Sequence, residues 1–160
     1  MTGWTLPAHR HLEALGVSWE RRVFPDSTPK GAASVAHALG FSESQMVKTL
    51  IFQSGTGERA LIAVGGDRNV ISGKLKKAMG NRNIRLASPD AVIEFTGYRI
   101  GSIPPFSWQQ DGVRTFIDED LMEEEVLGVG AGVWGEEIMI TPADLVRATG
   151  GIVVNLTRRE

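Results

Sequence analysis

Lys48 occupies a position where a lysine could do chemistry. It opens a strongly apolar run, Thr49-Leu50-Ile51-Phe52, although lysine is a residue that proteins usually leave in solvent. An ammonium group at the mouth of a buried strand could hold a phosphate or polarise a carbonyl group. On position alone, a lysine that extends its charged end from the strand to water is the simpler interpretation.

A rigid loop over residues 97–106 offers a second kind of chemistry. Gly97 and Gly101 let the backbone approach a ligand closely or adopt a positive φ. Pro104 and Pro105 then fix the exit of the loop, and the residue before each proline is expected to be extended. Such a loop is suited to present backbone N–H groups to a ligand, and a purely structural turn accounts for the same residues equally well.

A concentration of basic residues is a candidate phosphate-binding surface. Its members are Arg68, Lys74, Lys76, Lys77, Arg82 and Arg85. The whole chain has a formal net charge of −2, which argues against a protein that coats nucleic acid without specificity. We interpret an acidic block over residues 118–125 as a solvated face.

Other motifs lack the context that their chemistry needs. Residues 130–135 match G-x-G-x-x-G, but Glu136 and Glu137 follow in place of a helix N-terminus and would repel a pyrophosphate. The histidines have no metal-binding spacing, and the chain contains no cysteine. We therefore expect neither a bound metal nor a cofactor.

The length and composition indicate one globular domain. The chain has 160 residues, enough for a substantial buried core, and its apolar and charged fractions are ordinary for a soluble protein. Its N-terminus lacks the basic start and apolar run of a signal peptide, and no apolar run is long enough to span a bilayer. We expect a single cytoplasmic domain over residues 1–160 with no membrane partner.

The elements that must position these residues alternate irregularly between helix and strand. Proline and glycine punctuation predicts helices over 7–15, 32–39, 72–79, 89–95 and 142–149, with a helical turn over 43–47. Apolar and β-branched runs predict strands over 17–24, 48–53, 59–64, 84–87, 115–118, 125–129, 137–140 and 152–156. This order favours a mixed α/β fold, with a central mixed, largely antiparallel or barrel-like sheet surrounded by short helices.

Four segments carry a likeness to a known family. They are Ser34-Val35-Ala36-His37-Ala38-Leu39-Gly40, Val47-Lys48-Thr49-Leu50, Thr96-Gly97-Tyr98-Arg99-Ile100-Gly101-Ser102-Ile103-Pro104-Pro105-Phe106, and Val129-Gly130-Ala131-Gly132 followed by Thr141-Pro142-Ala143-Asp144-Leu145. Each segment alone is weak evidence. As an ordered set they resemble the YbaK/EbsC family, also called the prolyl-tRNA synthetase-associated editing domain, over residues 7–156.

The resemblance implies an enzyme that hydrolyses the ester of a mischarged tRNA in trans. The implied substrate is an aminoacyl-tRNA, with a small wrong amino acid on a tRNA(Pro)-type molecule, and prolyl-tRNA synthetase is the implied candidate partner. A monomer and a homodimer both remain open. Ser102 and Ser107 stand where the family often has glycine, and Pro25-Asp26 replaces a frequent histidine. These departures concern the shape of the pocket and the identity of the substrate.

The resemblance also implies roles for particular residues. Lys48, Gly101 and Ser102 are the implied catalytic residues, with N–H groups around Gly101 and Ser102 stabilising the oxyanion and Lys48 holding a phosphate or polarising the carbonyl. The implied substrate-binding residues are Thr28, Val47, Thr49, Gly97, Ile103, Pro104, Pro105, Gly130, Ala131 and Gly132. The basic residues over 68–85 would contact the tRNA backbone.

Two other functions are compatible with the same residues. A non-catalytic module could use the cleft to hold a tRNA end or an aminoacyl ligand, and turnover of a mischarged tRNA separates it from the enzyme. A small-molecule hydrolase without a nucleic-acid partner would accept a simple aminoacyl ester as readily as the tRNA ester.

Overall fold

The helices begin and end at the punctuation in the sequence. The computed structural model describes residues 5–159, and five α-helices lie within them. They are α1 (Pro7–Leu15), α2 (Ala32–Leu39), α3 (Ser72–Met79), α4 (Pro89–Thr96) and α5 (Pro142–Thr149). A proline begins α1, α4 and α5, and every one of these helices ends at a left-handed glycine. The predicted bounds are confirmed, except that α4 ends at Thr96 instead of Phe95.

The strands in the described part of the chain form two linked sheets. They are β1 (Glu20–Val23), β2 (Val47–Ser54), β3 (Arg59–Gly65), β4 (Ile84–Leu86), β5 (Arg114–Asp118), β6 (Leu127–Gly130), β7 (Glu136–Ile140) and β8 (Ile152–Val154). One sheet is antiparallel, in the order β1-β7-β6. The other has the order β4-β2-β3-β5-β8, in which β5 is parallel to both of its neighbours. The predicted mixed, largely antiparallel α/β fold is confirmed.

The start of β2 lies at the junction of the two sheets, because a parallel bridge joins Met46 to Gly128 of β6. Strand β2 is apolar because both of its faces are covered. Ile51 packs in the larger core, and Leu50 faces the opposite way, against a cluster that contains Leu75 of α3. Lys48 therefore lies at the start of a strand whose two faces are both covered, next to the second sheet.

The acidic block is only partly the solvated face that the sequence predicted. Asp118 is fully buried and accepts hydrogen bonds from the Leu156 N–H at 2.8 Å and the Thr157 hydroxyl at 2.7 Å. The interpretation is wrong for Asp118, because the C-terminal segment packs beside β5 and its donors need an acceptor there. It holds for Glu125, which is exposed.

Two further predictions concern the chain as a whole. The domain predicted over 1–160 includes residues 1–4 and 160, which lie outside the described residues. Within residues 5–159, no helix combines the length and the apolar character that crossing a membrane requires.

Candidate active site

A cavity of about 420 Å³ lies between the start of β2 and the loop that follows α4. Its size is that of a site for a small ligand, and its walls also include the N-terminal end of α2, the end of β6 and part of β7. The predicted site residues that line it are Val47, Lys48, Thr49, Gly101, Ile103 and Gly130. The fold thus brings the predicted lysine and the predicted glycine loop to one place.

Gly101 presents bare backbone to this cavity. Its φ of +98° lies in a region that residues with side chains rarely adopt. Its N–H donates to no backbone carbonyl of the described residues, whereas the N–H of Ser102 donates to the carbonyl of Arg99 at 3.1 Å. Of the two N–H groups that the sequence suggested, the Gly101 donor is therefore the one available to a ligand.

Ser102 lies behind the cavity and ties the loop to β6. Its side chain is buried, and its carbonyl accepts a hydrogen bond from the Gly132 N–H at 2.9 Å. Gly132 has a φ of +103°, and a Cβ there would lie 2.8 Å from the Tyr98 ring. Neither Ser102, Ala131 nor Gly132 lines the cavity. The structure places them as supports of the residues that do.

The remaining predicted loop residues also lie outside the cavity lining. Gly97 ends α4 with a φ of +81°. Pro104 and Pro105 are buried, and their carbonyls accept hydrogen bonds from the Trp108 indole N–H at 2.6 Å and the Gln109 amide at 2.7 Å. These bonds fasten the exit of the loop, which keeps Gly101 in position.

Gly130 is the point where the loop meets β6 most closely. A Cβ on Gly130 would lie 2.7 Å from the carbonyl oxygen of Ile103 and 2.9 Å from that of Ser102. Both contacts are with backbone, which has little freedom to move. The glycine is therefore required for the loop to reach the cavity wall.

Lys48 reaches the cavity as a half-buried cation opposite Val64 of β3. It forms no ion pair with any residue in the described range. The neighbouring Thr49 has a buried hydroxyl oxygen without a hydrogen-bond partner there. The Lys48 cation is thus available to a ligand at the start of β2, whereas the Thr49 hydroxyl oxygen is buried in the wall.

Thr28 lies outside the cavity, and Lys30 lines it instead. Thr28 borders a separate surface depression along α2. The Lys30 ammonium lies 3.6 Å from the centre of the Trp134 ring, a cation–π contact, and both residues line the cavity. Sequence analysis did not indicate this pair, because the contact joins segments about a hundred residues apart and no local pattern specifies that they meet.

Glu137 is the acidic side chain of the cavity lining, a place that the sequence did not indicate for it. Only 8% of it is exposed, and burial raises the pKa of its carboxyl group from 4.5 to about 8. The sequence suggested that Glu136 and Glu137 act together to repel phosphate. Successive residues of a strand point to opposite faces, and Glu136 instead pairs with Arg21 at 3.2 Å. This alternation along a strand is the sequence signal from which different positions for the Glu136 and Glu137 side chains could have been predicted.

The predicted tRNA-binding residues lie apart from the cavity. Arg68 pairs with Asp120 of the acidic block at 3.0 Å. Lys74, Lys76 and Lys77 lie on α3. Arg82, just before β4, and Arg85, on β4, are both exposed. Arg85 is paired with Gln53 near the far end of β2. Gln53 follows Lys48 by five residues, and at ~3.3 Å per residue the two are about 16 Å apart along the strand.

His9 is part of the packing beside β7. It is buried, its ring stacks on Trp19 with the ring centres 4.5 Å apart, and burial together with Arg21 lowers its pKa. In the part of the chain that the structure describes, no three potential metal ligands among histidine, aspartate and glutamate come together.

Two relatives have sequences similar to this chain over most of its length. A proline–tRNA ligase from Pelobacter propionicus is 31% identical over 121 residues, which are 72% of this chain and 21% of the ligase. EbsC from Enterococcus faecalis, named as a candidate Cys-tRNA(Pro)/Cys-tRNA(Cys) deacylase, is 26% identical over 129 residues, which are 81% of this chain and 78% of EbsC. This chain therefore spans about a fifth of the ligase and most of EbsC.

The fold and the cavity together define a small α/β domain with a cleft of small-ligand size. The crystal structure of a candidate trans-editing enzyme for prolyl tRNA synthetase matches it with a TM-score of 0.86 at 29% identity, covering 98% of this chain and 100% of that chain. The family model for the aminoacyl-tRNA editing domain matches residues 28–148, and the chain belongs to this family. The resemblance to YbaK/EbsC is confirmed, and with it the class of enzyme, an aminoacyl-tRNA hydrolase.

Proposed function

We propose that this chain removes a small wrong amino acid from a tRNA(Pro)-type molecule, acting in trans. The observation that carries the proposal is the meeting of Lys48 and Gly101 on one cavity of small-ligand size. The names of the relatives support tRNA(Pro) as the tRNA, because they refer to proline–tRNA ligase and to Cys-tRNA(Pro). The same names support prolyl-tRNA synthetase as a partner. We assign the chain to the cytoplasm, as a monomer or a homodimer.

The proposed reaction is hydrolysis by water without a protein nucleophile. An aminoacyl ester is already activated, so positioning and oxyanion stabilisation are sufficient for catalysis. Water attacks the carbonyl carbon, aided by the 2′-hydroxyl of the substrate's ribose. The bond to the ribose oxygen then breaks, and that oxygen takes a proton. The free amino acid and the uncharged tRNA leave.

The residues of the cavity divide this work. We assign oxyanion stabilisation to the Gly101 N–H, and its lack of a backbone acceptor in residues 5–159 supports this role. Lys48 supplies a positive charge for the carbonyl oxygen or the terminal phosphate. Lys30, which lines the same cavity, adds a second cation for the tRNA end. Val47 and Ile103 give an apolar wall that limits the size of the amino acid.

A panel of mischarged tRNAs tests the proposal. We expect hydrolysis of alanyl-, cysteinyl- or another small aminoacyl-tRNA(Pro), and no acceleration for prolyl-tRNA(Pro), measured by loss of labelled amino acid. An apolar pocket discriminates by about 1–3 kcal/mol per methylene, so the preferred amino acid should exceed its nearest homologue by about 10- to 200-fold. Binding of these tRNAs without turnover would support the non-catalytic module instead. Equal turnover of simple aminoacyl esters would support the small-molecule hydrolase.

Charge removal on α3 tests the proposed contact with the tRNA backbone. Neutralising Lys74, Lys76 and Lys77 should raise KM and reduce the slope of log binding constant against log salt by about 1 for each lost phosphate contact. The slope is measured by titrating tRNA at several salt concentrations. Arg10→Gln, which removes an exposed charge from α1, is the matched control and should leave the slope unchanged. An unchanged slope in the triple variant would place the tRNA elsewhere.

A further inference from the structure

The two glycines of β6, Gly128 and Gly130, leave space for the Glu137 side chain. Glu137 lies opposite Gly130 in the register of β6 and β7, and its Oε2 is 3.2 Å from the position that a Cβ on Gly128 would occupy. The Met46 side chain lies over the same glycine, 2.7 Å from that position. The carboxyl group is thus enclosed beside the start of β2, close to the residues that precede Lys48.

The carboxyl group has no protein partner in the described part of the chain. No hydrogen bond or ion pair joins it to another side chain there, and burial alone accounts for the rise of its pKa to about 8. Buried carboxyl groups are ordinarily paired, since leaving one without a partner is unfavourable. A group left in this state on the wall of a cavity is suited to a ligand that brings the missing partner.

The charged residues around the cavity indicate which ligand group could pair with the Glu137 carboxyl group. Lys30 from the segment before α2 and Lys48 from β2 are cations, and Glu137 is the acid. Arg22, the register neighbour of Glu137 on β1, is half-exposed and is paired with Glu20 at 3.1 Å. A cationic group on a ligand would be repelled by both lysines of the lining and attracted by Glu137 alone.

Every unmodified aminoacyl ester carries one such cation, the α-ammonium group beside the ester carbonyl. We propose that Glu137 binds this α-ammonium group and thereby selects esters whose amino group is free. The proposal rests on the proposed function, because it concerns the same cavity and the same class of substrate. N-acylation removes the charge and places an acyl group against the buried carboxyl, so N-blocked esters should be rejected.

Ligand entry changes the ionisation of the Glu137 carboxyl group. Without a ligand cation beside it, the group is mostly protonated at pH 7, because its pKa is about 8. An ammonium group beside it favours the carboxylate and lowers the pKa. The proton leaves to solvent, and a charge-assisted hydrogen bond forms between the ammonium group and the carboxylate.

Binding of an amide analogue tests the proposal independently of turnover. The probe is 3′-alanylamino-3′-deoxyadenosine, whose amide resists hydrolysis, and its N-acetyl derivative is the comparison. A hydrogen bond between charged groups suggests that the wild-type protein should bind the free amine about 10- to 100-fold more tightly. Glu137→Gln should reduce that ratio to within about threefold. Glu125→Gln, an exposed change of the same kind, should retain the wild-type ratio.

A second measurement uses the folded wild-type protein alone. In a carbon NMR titration of labelled glutamate side chains, the free-amine probe should lower the pKa of Glu137 and the N-acetyl probe should not. Equal binding ratios in the wild type and Glu137→Gln, or a pKa that neither probe changes, would overturn the proposal. A wild-type protein that binds the probes selectively but hydrolyses no mischarged tRNA would refute the deacylase function while supporting the role of Glu137.

Discussion

Lys48→Ala is expected to lower kcat/KM for aminoacyl-tRNA hydrolysis by about 10²- to 10³-fold, the range typical of removing one electrostatic group from an ester-cleaving site. The physical reason is that Lys48 forms no ion pair with a described residue and lines the same cavity as the Gly101 N–H. Its charge is therefore free to stabilise the oxyanion or the terminal phosphate. Single-turnover deacylation of mischarged tRNA measures the effect.

Comparison with Lys30→Ala separates a local role from general attraction of the tRNA. Lys30 lies on the same cavity and carries the same charge, but it is held over the Trp134 ring. We expect Lys30→Ala to act mainly on KM and Lys48→Ala mainly on kcat. Equal losses in both variants, confined to KM, would mean that Lys48 only attracts the nucleic acid. Near-wild-type turnover by Lys48→Ala would remove it from the mechanism.

The helices and strands were largely predictable, because residues close to their ends in the sequence determine where they begin and end. Glycine follows the last turn of every α-helix in the described residues, and proline begins three of them, as in α5 with Pro142 and Gly150. The division of the strands between two sheets was not predictable from these signals. It depends on which strands pair, as in the bridge between Met46 and Gly128, and no local pattern specifies that pairing.

The candidate site was predictable where a segment carries its own chemistry. Lys48 stands out because it opens an apolar strand, and Gly101 because two prolines follow it. Trp134 and Glu137 carry no such signal, since a tryptophan or a glutamate in a turn or strand is ordinary. Their contribution arises from tertiary structure, which places the turn before β7 and one face of β7 against the cavity.

Glu137→Gln is expected to stabilise the folded protein increasingly as the pH rises from about 5 to about 8. The pKa of the Glu137 carboxyl is about 8 in the folded protein and near its usual value of 4.5 in the unfolded chain. Between these values the folded state holds a proton that the unfolded state has lost, so the free energy of unfolding of the wild type falls as the pH rises. Glutamine has no such proton to lose.

The difference in the free energy of unfolding between Glu137→Gln and the wild type should grow by about 3–5 kcal/mol across this interval, since each pKa unit corresponds to about 1.4 kcal/mol. Well below pH 4.5 the carboxyl group is protonated in both states, so the pH dependence of the difference should level off as the pH falls through 4.5. Urea unfolding at intervals from pH 4 to pH 9 gives the curve. Glu125→Gln, exposed to solvent, should give a nearly flat one. A flat curve for Glu137→Gln would mean that its carboxylate is stabilised in the folded state, contrary to its isolation in the cavity.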